Sequence, residues 1–435
     1  MILVRNGKLG CIVVWDVSSA VIRPTTKNRI ASFDFLRGVA ILGILLANIA
    51  AFASPSLASM MSGMANEPGP LGFFEALRDG FVSGKFRGML AILFGVGLYL
   101  QSVKRSSHGE DWTKGYIRRT IWLLVLGLIH GIFIWWGDIL FLYAISALVA
   151  CFMVKLDDKL LLWIAGGVIG FYALLGMGGG LLFSLPAFSS AFAAGGEATD
   201  PVSVFMSAAN EQRVYGAGTY LDQLIHRLLL SVVLLFSNLF MMPTVLGLML
   251  FGIWVARSGV LANPSAHPEK VKPLFIVGAV ALVLNLVPAI VYPMGVMISS
   301  FWAEAGLAYF ASIFYLLVGA LLVERFRTSG FVRAIANVGN VALSCYLMQS
   351  ILCTFFFYSI GFGFFGKLDA IQQLAVVGVV WVINIVFANL WLSRFSLGPV
   401  EWLWRSVSEK RKLPLDRKES GEFELIPPPV VTNRR

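Results

Sequence analysis

The sequence predicts an all-α fold, a polytopic integral membrane helical bundle of about ten transmembrane helices. Three observations carry that prediction. Hydrophobic residues fill 58% of the 435 positions and charged residues only 13%, for a mean hydropathy of +0.79; a soluble domain carries about twice that charge. The apolar residues gather in segments long enough to cross a bilayer, at 36–54, 86–103, 119–137, 139–155, 160–183, 228–256, 273–293, 301–323, 339–360 and 371–393. Finally, 27 of the 34 Lys and Arg lie on one side of this ladder and six on the other, the asymmetry that marks cytoplasmic loops.

Both termini are therefore expected in the cytoplasm, and the net charge of +10 reads as an orientation signal, with no nucleic-acid partner. Three regions follow: an N-terminal cytoplasmic segment (1–30), a transmembrane domain (31–393) with a long outer loop (184–227), and a cytoplasmic C-terminal tail (394–435). The first segment lacks an adequate apolar h-region and a small-residue cleavage site, so it is not read as a signal peptide. Cys11, Cys151, Cys345 and Cys353 show no metal spacing. Neither a disulfide nor a metal is expected.

The first span organises the others. It opens with Asp34 and Arg37, one turn apart, and reaches Asn48 eleven residues after the arginine. At about 100° and 1.5 Å per residue, Arg37 and Asn48 share a face roughly 16 Å apart along the axis, a charge at the membrane surface below an amide near the midplane. The 55–85 connection ends in FFEALRDGFVSGKF, which suits an amphipathic helix in the interface. The third span repeats the first: Arg118 and Arg119 at its mouth, then His130, eleven residues beyond Arg119. Gly137-Asp138 is too tight for anything but a helical hairpin into the fourth span, with Asp138 and Tyr143 at its outer end. The fifth span holds GMGGG (176–180), which suits helix packing better than a phosphate loop because no strand precedes it. The outer loop contains YGAGTYLDQLIHR, with Tyr215 and Tyr220. Pro243 and Pro288 fall inside the sixth and seventh spans, where neighbouring helices can satisfy the freed carbonyls. The ninth span places Gln349 and Ser350 near the midplane, and the tail from Ser406 is too polar to pack.

Each polar group has a structural alternative. Asp34–Arg37 also suits a local i,i+3 ion pair, and Arg118 and Arg119 suit membrane-surface anchors. His130, Asn48 and Gln349 suit interhelical hydrogen bonds. Ionisable groups at membrane depth are costly, however, and usually face an interior site. No GxSxG, HExxH or P-loop is present, so any chemistry is built from this scattered set.

RGVAILGILLAN, KFRGMLAILFGVG, RRTIWLLVLGLIHGIFIWWGDILFLYA, VALSCYLMQS and GPVEWLWR occur in that order. Together they resemble the bacterial membrane proteins grouped as domain of unknown function 418, over most of the chain from Ile30 to Arg405. That family looks like a relative of transmembrane acyltransferases, the acyltransferase-3 and heparan glucosaminide N-acetyltransferase groups among them. Acyltransferase-3 proteins carry a histidine where this chain has Asn48, so their first-span histidine does not transfer. Cys345 departs from an asparagine in the family pattern.

The resemblance implies a multi-pass protein of the bacterial inner membrane that uses acyl-CoA, acetyl-CoA first among them, as co-substrate. It implies an envelope glycan or lipid-linked acceptor, with a homodimer as one assembly open to it. Cofactor binding is assigned to Asp34, Arg37, Arg118 and Arg119, catalysis to His130, Asn48 and Gln349, and substrate access to Asp138, Tyr143, Tyr215 and Tyr220. The rival expectation is a transporter or flippase whose pathway the same polar groups line. A scaffold without turnover is a third.

Overall fold

A computed structural model of the protein describes residues 26–55, 77–106, 111–183, 185, 204–287 and 306–416. The N-terminal segment up to residue 25, most of the 55–85 connection, residues 186–203 of the long loop, Pro288 and the tail beyond Asp416 lie outside the described residues. The described secondary structure is helical apart from one isolated bridge, Phe395 with Asp416.

The helices run α1 Thr26–Ala53, α2 Lys85–Ser106, α3 Trp112–Ile129, α4 Leu140–Met153, α5 Asp158–Phe183 and α6 Tyr220–Ser258. They continue with α7 Pro268–Asn285, α8 Leu307–Arg325, α9 Gly330–Asn340, α10 Ala342–Phe357, α11 Ala370–Arg394 and α12 Pro399–Glu409. Local chemistry sets several ends. Asp111 accepts from the amide of Thr113 at the start of α3, while Thr219/Asp222 and Asp369/Gln372 form capping boxes ahead of α6 and α11. Gly259, at φ +72°, closes α6 in the left-handed conformation.

Among the described residues, seven helices are long and apolar enough to cross a membrane: α1, α2, α3, α5, α6, α8 and α11. The segment expected at 139–155 is the 14-residue α4, about 21 Å long and short of a full crossing. The segment expected at 339–360 is the 16-residue α10, and the short α9 ahead of it meets it at Val341 with a bend of 82°. There the carboxylate of Glu401 captures the amides of Leu343 and Ser344 and starts the new helix. α6 begins eight residues before the expected 228, its capping box drawing Tyr220–Arg227 into the helix.

α1 sits centrally, against α2, α8, α9, α10 and α11. Backbones touch where glycine permits it: a Cβ on Gly339 of α9 would collide with the carbonyl of Asp34 on α1, and one on Gly252 of α6 with that of Ile92 on α2. Large apolar side chains point outward, Trp163 (79% exposed), Phe236, Ile371 and Leu390 among them. Together with the long apolar helices, this surface makes the protein a polytopic helical membrane protein.

Candidate functional site

Two polar centres lie at opposite ends of α3. At its C-terminal end the helix loosens into a π turn, His130–Ile134, the kind of irregularity that gathers at functional sites. The His130 imidazole is fully buried and its Nδ1 lies 2.8 Å from Asp138 Oδ1. An ionised carboxylate can only accept, so the proton of this contact is carried by Nδ1. The imidazole Nε2 is buried without a hydrogen-bond partner, as is the nearby indole Nε1 of Trp135, whose ring centre is 6.5 Å from that of His130. The Tyr346 ring of α10 packs 5.0 Å from the imidazole, and its hydroxyl accepts from the amide of Ile139.

The π turn is clamped from α6. Arg227, buried, donates through Nε to the carbonyl of Ile132 at 2.7 Å and through a terminal nitrogen to that of Phe133 at 3.3 Å. Tyr220 donates its hydroxyl to the same Phe133 carbonyl at 2.9 Å. Carbonyls that a π turn leaves without regular partners are thereby satisfied.

At the other end of α3, Arg119 stacks on Trp404 of α12, its guanidinium carbon 4.6 Å from the ring centre. Trp404 Nε1 donates to the Arg119 carbonyl at 2.9 Å, and Arg118 Nε donates to the carbonyl of Ser408, so two consecutive arginines hold α12 against α3. Arg37 pairs with Asp34 at 2.9 Å. Arg405 lies within the electrostatic reach of Arg37, Asp34, Glu401 and Glu409, and burial pushes its pKa below the ordinary arginine value. Thus α12 joins the basic mouths of α1 and α3.

The site residues read from the sequence do not all converge. Asp138, expected at an outer mouth, is instead the partner of His130, while its second oxygen accepts from the amide of Phe141 and caps α4. Gln349 is buried with its amide donating to the carbonyl of Ile41 on α1. Asn48 is half-buried on α1. Tyr143 is buried and donates to the carbonyl of Arg87. Tyr215 is buried with its hydroxyl 3.0 Å from His226 Nδ1, and burial pushes its pKa up. Tyr143 and Tyr215 therefore line no shared mouth with Tyr220, which is exposed on the π-turn clamp.

A family model described as "Protein of unknown function (DUF418)" matches residues 255–411. Relatives match almost end to end. Uncharacterized protein YxaH of Bacillus subtilis (strain 168) is 30% identical over 415 residues, covering 91% of this chain and 98% of the relative. The chain belongs to the DUF418 family. Uncharacterized protein YeiB of Escherichia coli (strain K12) is 31% identical over 406 residues, covering 90% of this chain and all of the relative. An uncharacterized 39.9 kDa protein in the amylase 3′ region of Bacillus acidopullulyticus is 24% identical over 400 residues, 91% of this chain and 98% of the relative. No solved structure matches. The DUF418 match takes in the α9–α10 break, Tyr346, Glu401 and Arg405, and leaves the His130 centre to the preceding part of the chain.

Tyr346, Trp135, Glu401 and Arg405 have no role in the reading of the sequence, and Arg227 has only a place in the family's loop pattern with Tyr215, Gly218 and Tyr220. Arg405 looks like an ordinary tail cation there. The only available signal for Arg405 and Glu401 was the GPVEWLWR motif itself.

Proposed function

We propose that this DUF418 protein is a transmembrane acyltransferase of the bacterial inner membrane with both termini in the cytoplasm. It moves an acyl group from cytoplasmic acyl-CoA to an envelope glycan or lipid-linked acceptor. One observation carries the reading: a buried imidazole oriented by a carboxylate at Nδ1, with Nε2 unpartnered. Buried polar atoms are nearly always paired, so an orphaned basic nitrogen calls for an explanation, and a general base awaiting its substrate supplies one.

In this reading Nε2 takes the proton of an acceptor hydroxyl or amine as that atom attacks the thioester carbonyl. The carbon–sulfur bond breaks, and the proton passes from His130 to the departing CoA thiolate. Asp138 holds the tautomer and steadies the imidazolium that forms. Asn48, with no hydrogen bond of its own among the described residues, is the amide available to the developing oxyanion. Gln349 supports α1 at Ile41. The CoA phosphates lie at the Arg37 and Arg119 end. Arg119 and His130 are about 16 Å apart along α3, a span that suits an extended pantetheine arm.

The transporter reading has one observation in its favour, the 82° break between α9 and α10, because discontinuous helices line midplane sites in transporters. Free-thiol release from acetyl-CoA by purified protein in detergent separates the two. Release by wild type and its loss in a folded His130→Ala variant is the expected result. Folded wild type that neither releases thiol from, nor is stabilised by, any acyl-CoA would sink the acyltransferase reading and favour a flux.

A further inference from the structure

Burying an arginine is expensive unless a carboxylate, carbonyl or bound anion accepts its protons. Most buried or half-buried arginines here obey that rule: Arg227 is held by carbonyls, Arg37 by Asp34, and Arg257 by Asp158 and the Leu156 carbonyl. Arg119 and Arg405 do not. Each has its Nε buried without a hydrogen-bond partner, and neither guanidinium makes an ion pair among the described residues. Nearby carboxylates are otherwise engaged. Glu401 accepts from the Leu343 and Ser344 amides and the Ser344 hydroxyl, while Glu409 faces Arg105 at 3.5 Å.

We propose that Arg119 and Arg405 form a binding site for a phosphoryl group, completed by the docking of α12 on α3. Trp404 covers one face of the Arg119 guanidinium and, through its indole N–H, holds the Arg119 backbone, so the planar N–H edge is presented ready-made. Two such forks suit the bidentate geometry of phosphate oxygens. Arg105 stands within electrostatic reach of Arg119, and Arg37 within that of Arg405. Arg118 is outside the site, its Nε held by the Ser408 carbonyl.

The phosphoryl group has two sources, a soluble nucleotide-type ligand such as CoA or an anionic lipid headgroup at the same membrane face. Only the first choice rests on the acyl-CoA reading; the site itself does not. Its test uses full-length protein in detergent, with thermal stabilisation by pyrophosphate and by coenzyme A, and in nanodiscs of phosphatidylglycerol against phosphatidylcholine. Wild type is expected to be stabilised by one of these probes. Arg405→Gln and Arg119→Gln are expected to weaken that response at least tenfold in apparent affinity. Lys114→Gln, which removes an exposed charge from the first turns of α3, is expected to stay within twofold.

Stabilisation by phosphatidylglycerol alone, lost in both variants, supports the site and assigns it to lipid. An Arg405→Gln response equal to wild type overturns the site even if acetyl-CoA turnover persists. Indifference of wild type to every probe overturns it as well. Where Arg405→Gln does not fold, Arg405→Lys and Arg119→Gln carry the same comparison.

Discussion

The two ends of α3 handle buried charge in opposite ways. At the His130 end most groups have a named partner, His130 Nε2 and the Trp135 indole N–H excepted: Asp138 holds Nδ1 and accepts from the Phe141 amide, and Arg227 and Tyr220 secure the π turn. At the Arg119 end the backbone is well anchored by Trp404, but the guanidinium groups of Arg119 and Arg405 are left without acceptors. One end is organised to hold a single imidazole in place. The other holds surplus positive charge, whose natural complement is an anion from outside the chain.

The largest expected effect breaks the first half of that contrast. His130→Ala should lower acetyl-CoA thiol release by roughly 100-fold or more, and Asp138→Asn by a smaller but clear factor, with the fold retained by circular dichroism. Wild-type turnover in Asp138→Asn would mean the carboxylate only caps α4. Next comes Glu401→Gln, which weakens the charge-assisted cap on α10. A loss of about 2–3 kcal/mol in thermal or denaturant unfolding is expected, without loss of ligand response in the protein that remains folded.

The sign reverses at Arg405. Burial holds its pKa below the ordinary value, so the charge costs folding free energy as long as no anion is present. Replacing it with Met should leave the ligand-free protein as stable or more stable by about 1 kcal/mol, and should abolish the stabilisation by pyrophosphate or CoA. A marked loss of stability in ligand-free Arg405→Met would show that Asp34 and Glu401 already neutralise it. The smallest effect is at Tyr220→Phe, which loses one partly exposed hydrogen bond to the π turn. About 0.5–1 kcal/mol is expected, with a detectable fall in turnover only if the π turn positions His130.

Much of the fold is legible in the residues. Apolar length and sparse charge specify helices that must satisfy their backbone internally, and all ten expected segments overlap helices. The Arg119–His130 spacing likewise places a base and a cation about 16 Å apart on one helix. The site is less legible. Asp138 lies eight residues from His130, a spacing that gives no face relation across a hairpin. The π turn and the tight return after Trp135 bring the two side chains to 2.8 Å.

Glu401 and Arg405 show the same limit over a longer range. On their own they are an acid and a base four apart in a C-terminal amphipathic helix. Their meaning depends on α12 folding back so that one caps α10 and the other meets Arg119. Helix formation and membrane residence follow from local periodicity and hydropathy, which the sequence determines by itself. Which buried polar groups acquire partners, and which are left waiting for one, depends on contacts between residues up to 339 positions apart; only the tertiary packing decides that.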